Sequence, residues 1–151
     1  MSEPSSLAPE LVAWLAAARR ERPADAAAAQ QRASEVAKAH RAKPWTALAD
    51  RLAVAELLLQ SEVPADVELA QALALAALAK SPAARPLAAR AFDRLRRLAG
   101  QPQKYGTEIV VHDGRAELWP VDGVTTDSER AKWGIAPLAE LQRAAAALPR
   151  S

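Results

Sequence analysis

The stretch Thr107-Glu-Ile-Val-Val-His-Asp-Gly-Arg-Ala-Glu-Leu-Trp119 decides the fold, because the hydrophobic pattern changes there from that of helices to that of strands. Its first half is rich in β-branched residues, which favour strands. Asp113-Gly114 is a favoured two-residue hairpin turn, and Pro120 ends the second half. The stretch therefore predicts a β-hairpin over about 107–119, which must pack on other elements because a lone hairpin is unstable in water.

A two-residue turn fixes the register of this hairpin. The predicted pairs are His112 with Arg115, Val110 with Glu117, and Glu108 with Trp119. Successive strand residues point to opposite faces, so the other face carries Thr107, Ile109, Val111, Ala116 and Leu118. We expect this apolar face to lie on the helices and Glu108 to point outward beside Trp119. A tryptophan on that outer face needs cover from the C-terminal segment or from a partner.

The residues before the hairpin predict helices. They are rich in Ala, Leu, Arg and Glu, and all five glycines of the chain lie in its last third. Prolines separate apolar stripes of helical spacing at about 7–20, 24–42, 46–60, 65–80 and 84–99. The second of these helices has few apolar residues beyond alanine, which predicts weak anchoring. The fourth is apolar nearly all round, which is typical of a central, buried helix.

Two shorter helices are predicted after the hairpin. Thr126 and Glu129 match a capping box, and Gly134 ends the helix that this box begins. Pro137 opens a last amphipathic helix. The predicted fold is mainly α (α+β): a bundle of about five helices, a C-terminal hairpin and one or two short closing helices. One domain should span 7–148, with residues 1–6 and 149–151 disordered or frayed.

Composition excludes several classes of function. The 151 residues include no cysteine, which excludes disulfides, thiolate metal sites and cysteine nucleophiles. His40 and His112 are far apart in sequence, and no phosphate loop or dinucleotide fingerprint is present, so we expect neither metal nor cofactor.

The net charge of +2 is nearly balanced, and the chain lacks the one-sided basic surface typical of a nucleic-acid binder. The most apolar run, Ala72–Ala79, is short of a membrane span, and with no signal pattern a soluble, cytoplasmic protein is expected.

The polar stretch Gln101-Pro-Gln-Lys-Tyr-Gly-Thr-Glu108 connects the fifth helix to the first strand. Polar side chains this dense at a junction can converge on a ligand, since binding groups often lie on connections between rigid elements. The alternative is a structural turn. In that case Gly106 supplies a positive φ, and Gln101 or Gln103 bonds exposed helix carbonyls.

A distinctive order of motifs covers about 84–145. It runs Ala91-Phe-Asp-Arg-Leu95, Gly100-Gln-Pro-Gln-Lys-Tyr-Gly-Thr107, Pro120-Val-Asp122, Glu129-Arg130, Gly134 and Pro137-Leu138. This string resembles the bacterial DUF6624 family, which has no assigned function. Two positions depart from the family pattern: Glu108 stands in place of its last motif glutamine, and Gln60-Ser61 stands where a Gln-His pair is frequent.

The resemblance implies a shared polar cluster of Asp93, Arg94, Gln103, Tyr105, Thr107 and Asp122. Each member also has an ordinary structural explanation. Asp93 can form a surface ion pair with Arg97 at i+4, worth only about 0.3–0.5 kcal/mol. Tyr105 can be a core aromatic, and Asp122 can cap the following turn or accept from Arg94.

Three functional hypotheses follow. The first is a non-catalytic binding or interaction domain, whose ligand is a small molecule or a protein, with a site around Gln103, Tyr105 and Thr107. The second is a small enzyme that uses Asp93 or Glu108 as general base, with Arg94 as the anchor for an anionic group. The third is a structural accessory protein, in which the motif only holds the hairpin on the bundle. The strand register separates Glu108 from the cavity of Tyr105.

Overall fold

A computed structural model describes residues 7–21 and 25–149. Within them the elements follow in the order α1 (Pro9–Arg20), α2 (Ala26–Ala42), α3 (Leu48–Leu58), α4 (Pro64–Ala77), α5 (Ala84–Leu98), β1 (Ile109–His112), β2 (Arg115–Leu118), α6 (Asp127–Lys132) and α7 (Leu138–Ala146). The mainly α fold with a C-terminal hairpin is confirmed. The predicted disorder of residues 1–6, and of the chain end after residue 149, lies outside the described residues. No helix among those described could cross a membrane.

Local sequence signals set the ends of several helices. Pro64 opens α4 in its first turn, where a missing N–H costs nothing. Gly100 follows the C-terminus of α5 with a φ of +72°, a conformation that favours glycine. The hydroxyl of Thr126 caps α6 by accepting from the backbone N–H of Glu129 at 3.1 Å. The Glu129 carboxylate pairs with Lys104 at 3.1 Å, so the structure shows one of the two expected capping bonds.

Helix α3 is the centre of the bundle, since it packs against α1, α2, α4 and α5. Val54, Leu57 and Leu58 are fully buried there. The expectation that α4 is the central helix is wrong, because its Leu75 is 48% exposed. The buried stripe of α4 consists mainly of small residues, Val67, Ala70, Ala74 and Ala77. Because alanine is small, α4 can pack closely against α5. The leucines of α4 are only partly buried or exposed.

Helix α2 is held by polar contacts as well as by small apolar residues. Arg32 bonds both carboxylate oxygens of Glu21, at 2.6 and 2.9 Å, and also bonds Gln60 at 3.1 Å. At the other end of α2, His40 is buried and stacks on Trp45. Its Nδ1 accepts from the Trp45 backbone N–H at 3.2 Å, which requires the neutral ring. These polar contacts therefore help to hold α2, whose sequence offers few apolar residues beyond alanine.

The hairpin has the predicted register. Val110 pairs with Glu117 and His112 with Arg115, and the backbone N–H of Trp119 donates to the Glu108 carbonyl at 3.0 Å. Both turn residues adopt a positive φ, +51° at Asp113 and +74° at Gly114, as a type I′ turn requires.

The expected burial of one whole hairpin face is wrong for β1. Ile109 and Val111 are 42% and 57% exposed. The hairpin packs against α7 through β2, and Leu118 lies with Leu138 and Leu141 near Gly106. A single short helix is too narrow to cover both strands, so the apolar side chains of β1 stay at the edge.

The central position of α3 predicts a clear difference between two leucines. Leu58→Ala removes a fully buried side chain and should lower the free energy of unfolding by about 2–5 kcal/mol. Leu75→Ala on α4 should lower it by about 1 kcal/mol or less, because its side chain is half exposed. Urea unfolding of both variants measures the difference, and equal losses would contradict this packing order.

His40 predicts that the protein loses stability in mild acid. Burial lowers the pKa of His40, and the charges of Arg51 and Arg41 add to this. The unfolded chain therefore binds this proton more readily, so the free energy of unfolding should fall as the pH drops below about 6.5. His40→Asn keeps an acceptor without a titrating ring and should flatten this dependence between pH 7 and 5. Equal slopes in the unmodified protein and in this variant would refute the assignment.

Candidate functional site

The carboxylate of Asp93 anchors residues 104–107, which we call the 104–107 loop. Asp93 lies in α5 and is 0% exposed. Its Oδ1 accepts from the backbone N–H of Lys104 at 2.8 Å and of Tyr105 at 2.9 Å. Its Oδ2 accepts from the backbone N–H of Gly106 at 3.1 Å and of Thr107 at 3.0 Å, and from the Thr107 hydroxyl at 2.7 Å. One side chain thus satisfies four consecutive backbone donors.

The sequence of the loop explains how four N–H groups reach one carboxylate. Gly106 has a φ of +100°, which turns the chain so that successive N–H groups point inward. An added Cβ at Gly106 would also lie 3.0 Å from Leu141 and 3.5 Å from Leu138. Both the conformation and the close approach of α7 therefore require glycine at this position.

Asp93 has no capacity left for a ligand. Its five hydrogen bonds occupy both oxygens, and its side chain does not reach solvent. The expected surface pair of Asp93 with Arg97 is wrong, because the loop folds back onto α5 and takes the carboxylate. Arg97 instead pairs with Glu62 at 2.6 Å and with Glu108 at 3.4 Å.

Gln103 closes the open end of the hairpin. Its buried side chain donates to the carbonyls of Glu108 at 2.9 Å and Trp119 at 2.7 Å, and accepts from the Glu108 N–H at 2.7 Å. Its backbone forms a parallel bridge to Val121, with bonds to Pro120 and Asp122. All of these partners are backbone groups. Gln103 is therefore a structural residue, and it does not cap the helix carbonyls as one alternative predicted.

Tyr105 is a buried aromatic residue. Its ring packs against Phe92 and Trp133, each with 6.0 Å between ring centroids. Burial raises the pKa of its hydroxyl, and the charges of Glu129, Asp93 and Asp122 add to this. The ring contacts Phe92 and Trp133, whereas the Glu108 carboxylate contacts Arg94 and Arg97, so the two side chains have separate partners.

Arg130 is a buried residue that the sequence analysis did not select as a site residue. Its Nε donates to the Tyr105 carbonyl at 2.8 Å. Its Nη1 donates to the Thr125 carbonyl and to Asp127, both at 3.0 Å, while its Nη2 is buried without a partner. Neither charge nor spacing marks this arginine in the sequence. Its place in the motif string was the only available signal.

Asp122 caps the turn before α6, as one of its predicted alternatives holds. It accepts from the N–H groups of Val124 at 3.2 Å and Thr125 at 3.0 Å, and from the Thr125 hydroxyl at 3.1 Å. Burial acts to raise the pKa of Asp122, but these bonds and the charge of Lys104 outweigh it, and the pKa is lowered. No bond to Arg94 is formed.

Glu108 points into the protein, contrary to prediction. It is 5% exposed, and Arg94 binds it through both ends of the carboxylate, at 2.6 Å from Nε to Oε1 and 3.2 Å from Nη2 to Oε2. Arg94 also donates to the carbonyls of Leu59 and Ser61, just beyond the end of α3. The Glu108 side chain is thus covered by α5 and by the end of α3, whereas His112, Arg115 and Glu117 on the same hairpin face are exposed.

A small polar cavity, which we call the Arg90 cavity, lies at this junction. Its volume is about 60 Å³, and Leu59, Arg90, Arg94, Thr107 and Glu108 line it. A neighbouring cavity of about 130 Å³ also has Arg90 in its wall, together with Leu15, Ala18, Arg19, Glu56, Leu57 and Gln60. Of the six predicted site residues, only Arg94 and Thr107 border the Arg90 cavity.

Arg90 has an unusual electrostatic position. Its side chain is exposed and lines both cavities. Nearby protein atoms that displace water lower the pKa of Arg90, and the charge of Arg94 adds to this, while Glu56 and Glu108 oppose it. The guanidinium remains protonated at neutral pH. Among the described residues Arg90 forms no ion pair within 4.0 Å, in contrast to Arg94 and Arg97.

The described residues contain no group of three or more side chains arranged to hold a metal ion. His112 is exposed, as predicted. No family model matches the chain, and no match was found among the curated proteins or the solved structures. The resemblance to DUF6624 therefore stays a prediction from the motif string.

The central role of Asp93 predicts a large loss of stability when its charge is removed. Asp93→Asn keeps the size but replaces one acceptor oxygen by a donor that faces backbone N–H groups. Because at least one buried donor then lacks a partner, we expect the free energy of unfolding to fall by about 2–5 kcal/mol. Asp113→Asn, an exposed turn substitution, should change it by less than about 0.5 kcal/mol. Urea unfolding that shows a loss below about 1 kcal/mol for Asp93→Asn would contradict the hydrogen-bond assignment.

Proposed function

We propose that this protein is a non-catalytic binding domain whose ligand carries a small anionic group, a carboxylate or a phosphate, bound in the Arg90 cavity. The observation that carries the proposal is Arg90 itself, which lines two adjoining cavities and forms no ion pair among the described residues. A guanidinium presents several donors in a fixed plane that matches carboxylate and phosphate oxygens.

The surroundings of Arg90 support an anion. The two cavities that meet there are bordered by three guanidinium groups, of Arg19, Arg90 and Arg94, and by two carboxylates, of Glu56 and Glu108. Glu108 is already paired with Arg94, so the cations at the cavity mouth are not fully neutralised. An incoming anion would pair with the guanidinium of Arg90, which has no acidic partner within 4.0 Å among the described residues.

The contacts favour binding over catalysis. A general base needs a free lone pair within reach of the proton it removes. Asp93 has its oxygens occupied by loop donors, and Glu108 is held by two arginines. Neither side chain therefore supports the enzyme alternative. A purely structural role is the second candidate, and the use of Gln103 and Asp93 in holding the hairpin favours it.

Family membership and location rest on the sequence alone. We infer from the motif string that the chain is a bacterial DUF6624 protein that acts in the cytoplasm. The contacts of Asp93, Gln103 and Asp122 suggest what such a motif does, namely to build the framework beside which a ligand binds.

Arg90→Gln is the variant that tests the proposal. Because Arg90 makes no internal ion pair, the variant should keep its free energy of unfolding within about 0.5 kcal/mol. Thermal-shift and calorimetric titrations with inorganic phosphate, pyrophosphate, acetate and succinate should find a ligand for the unmodified protein. Arg90→Gln should weaken that ligand by about tenfold or more, since a hydrogen bond to a charged group is lost. Arg115→Gln, an exposed change on the hairpin, is the matched control and should bind as the unmodified protein does.

Two outcomes would count against the binding site. The first is that none of the four anions stabilises the protein. The second is that Arg90→Gln and Arg115→Gln bind equally well. Either result would leave the structural role of the motif as the better account.

A further inference from the structure

A second concave surface lies on another side of the molecule, where the C-terminal end of α4, the start of α5 and the end of α6 meet. We call it the Trp133 groove. It is wide and open, with a volume of about 670 Å³, and it is lined by Leu78, Ala79, Arg85, Lys132 and Trp133. It shares no lining residue with the Arg90 cavity.

The floor of the groove is held rigidly. Trp133 is half-buried, and its ring rests on Tyr105 with 6.0 Å between centroids. The next residue, Gly134, has a φ of +70°, and an added Cβ there would lie 3.0 Å from Cγ of Pro86. The end of α6 is therefore in close contact with the start of α5. A tryptophan fixed in this way is the kind of side chain that dominates binding energy in protein interfaces.

Cations border this apolar floor. Arg85 and Lys132 line the groove, and both are exposed. Within the part of the chain that the structure describes, neither forms a side-chain hydrogen bond or an ion pair, whereas Arg94, Arg97 and Lys104 all do. Lys80, which follows Ala79 directly, is also exposed. The groove thus combines apolar contact area with unpaired positive charge.

We propose that the Trp133 groove docks an acidic, apolar segment of a partner protein. Such a segment would place an aliphatic or aromatic side chain against Trp133 and Leu78, and an Asp or Glu side chain near Arg85 and Lys132. Charge complementarity selects the acidic residues, and the apolar lining selects the neighbouring large side chain.

The shape and composition favour a peptide over other occupants. The groove is too open to enclose most of a small molecule, which binding pockets for such ligands normally do. Single-stranded nucleic acid is recognised by several aromatic rings along a basic path, and this groove offers one ring. The nearly balanced charge of the chain, +2, also lacks the footprint of a nucleic-acid binder.

Selection from a random peptide display library against the purified full chain tests the proposal. We expect the enriched peptides to carry Asp or Glu next to Leu, Phe or Trp. A synthetic peptide of the enriched sequence, labelled with a fluorophore, should bind with a Kd that rises with salt concentration. The double variant Arg85→Glu with Lys132→Glu should weaken it by about tenfold or more, because two attractive contacts become repulsive.

The controls separate a lost contact from a damaged fold. The double variant Arg115→Glu with Arg143→Glu makes the same change in net charge on other exposed residues and should alter the Kd by no more than about twofold. The neutral variant Arg85→Gln with Lys132→Gln should show an intermediate loss. Melting temperatures of all three should stay close to that of the unmodified protein, because the four side chains are exposed and form no ion pair among the described residues.

Three results would overturn the proposal. Selection could give no enriched motif, or a motif without acidic residues. The enriched peptide could bind Arg85→Glu with Lys132→Glu as tightly as the control. A labelled oligodeoxythymidine could bind the groove more tightly than the peptide and be lost in the same variant, which would assign the groove to single-stranded nucleic acid.

Discussion

The buried carboxylate of Asp93 is the interaction on which the C-terminal half of the molecule depends. A charge with no solvent contact is tolerated only when hydrogen bonds replace its hydration. The 104–107 loop provides four backbone donors and one hydroxyl for that purpose. The loop gains as well, since its buried N–H groups would otherwise be left without acceptors. These mutual hydrogen bonds fix where β1 begins relative to α5.

Both proposed binding surfaces lie beside this framework. On one side, Thr107 and the next residue, Glu108, line the Arg90 cavity, where Glu108 is paired with Arg94. On the other side, the Tyr105 ring supports Trp133, which forms the floor of the Trp133 groove. The polar motif is therefore not itself a site with free functional groups. The side chains of Asp93, Gln103 and Asp122 form hydrogen bonds that hold the structure together. The cationic side chains without an ion pair among the described residues, such as Arg90 and Arg85, lie around this motif.

Features encoded by neighbouring residues were predictable from sequence. The Asp113-Gly114 turn fixed the register, and Thr126 was identified as a helix cap from its spacing to Glu129. Features that depend on long-range contacts were not. The spacing along α5 makes Arg97 a possible partner for Asp93. Nothing in the local sequence shows that the backbone N–H groups of a loop that begins eleven residues later bond this carboxylate instead. Strand alternation predicted that Glu108 points outward, whereas Arg94, itself bonded to a carbonyl just beyond the end of α3, holds it inside the protein. The apolar sequence of α4 likewise could not show which of its faces packs against other helices and which is exposed.

Hydrogen exchange at the backbone amides of Lys104, Tyr105, Gly106 and Thr107 tests the central claim most directly. If Asp93 holds all four, they should exchange only through global unfolding, as slowly as the amide of the fully buried Leu58 in α3. Exchange at the rate of an exposed loop amide such as that of Gly123 would show that the carboxylate does not hold the loop. The framework described above would then be wrong.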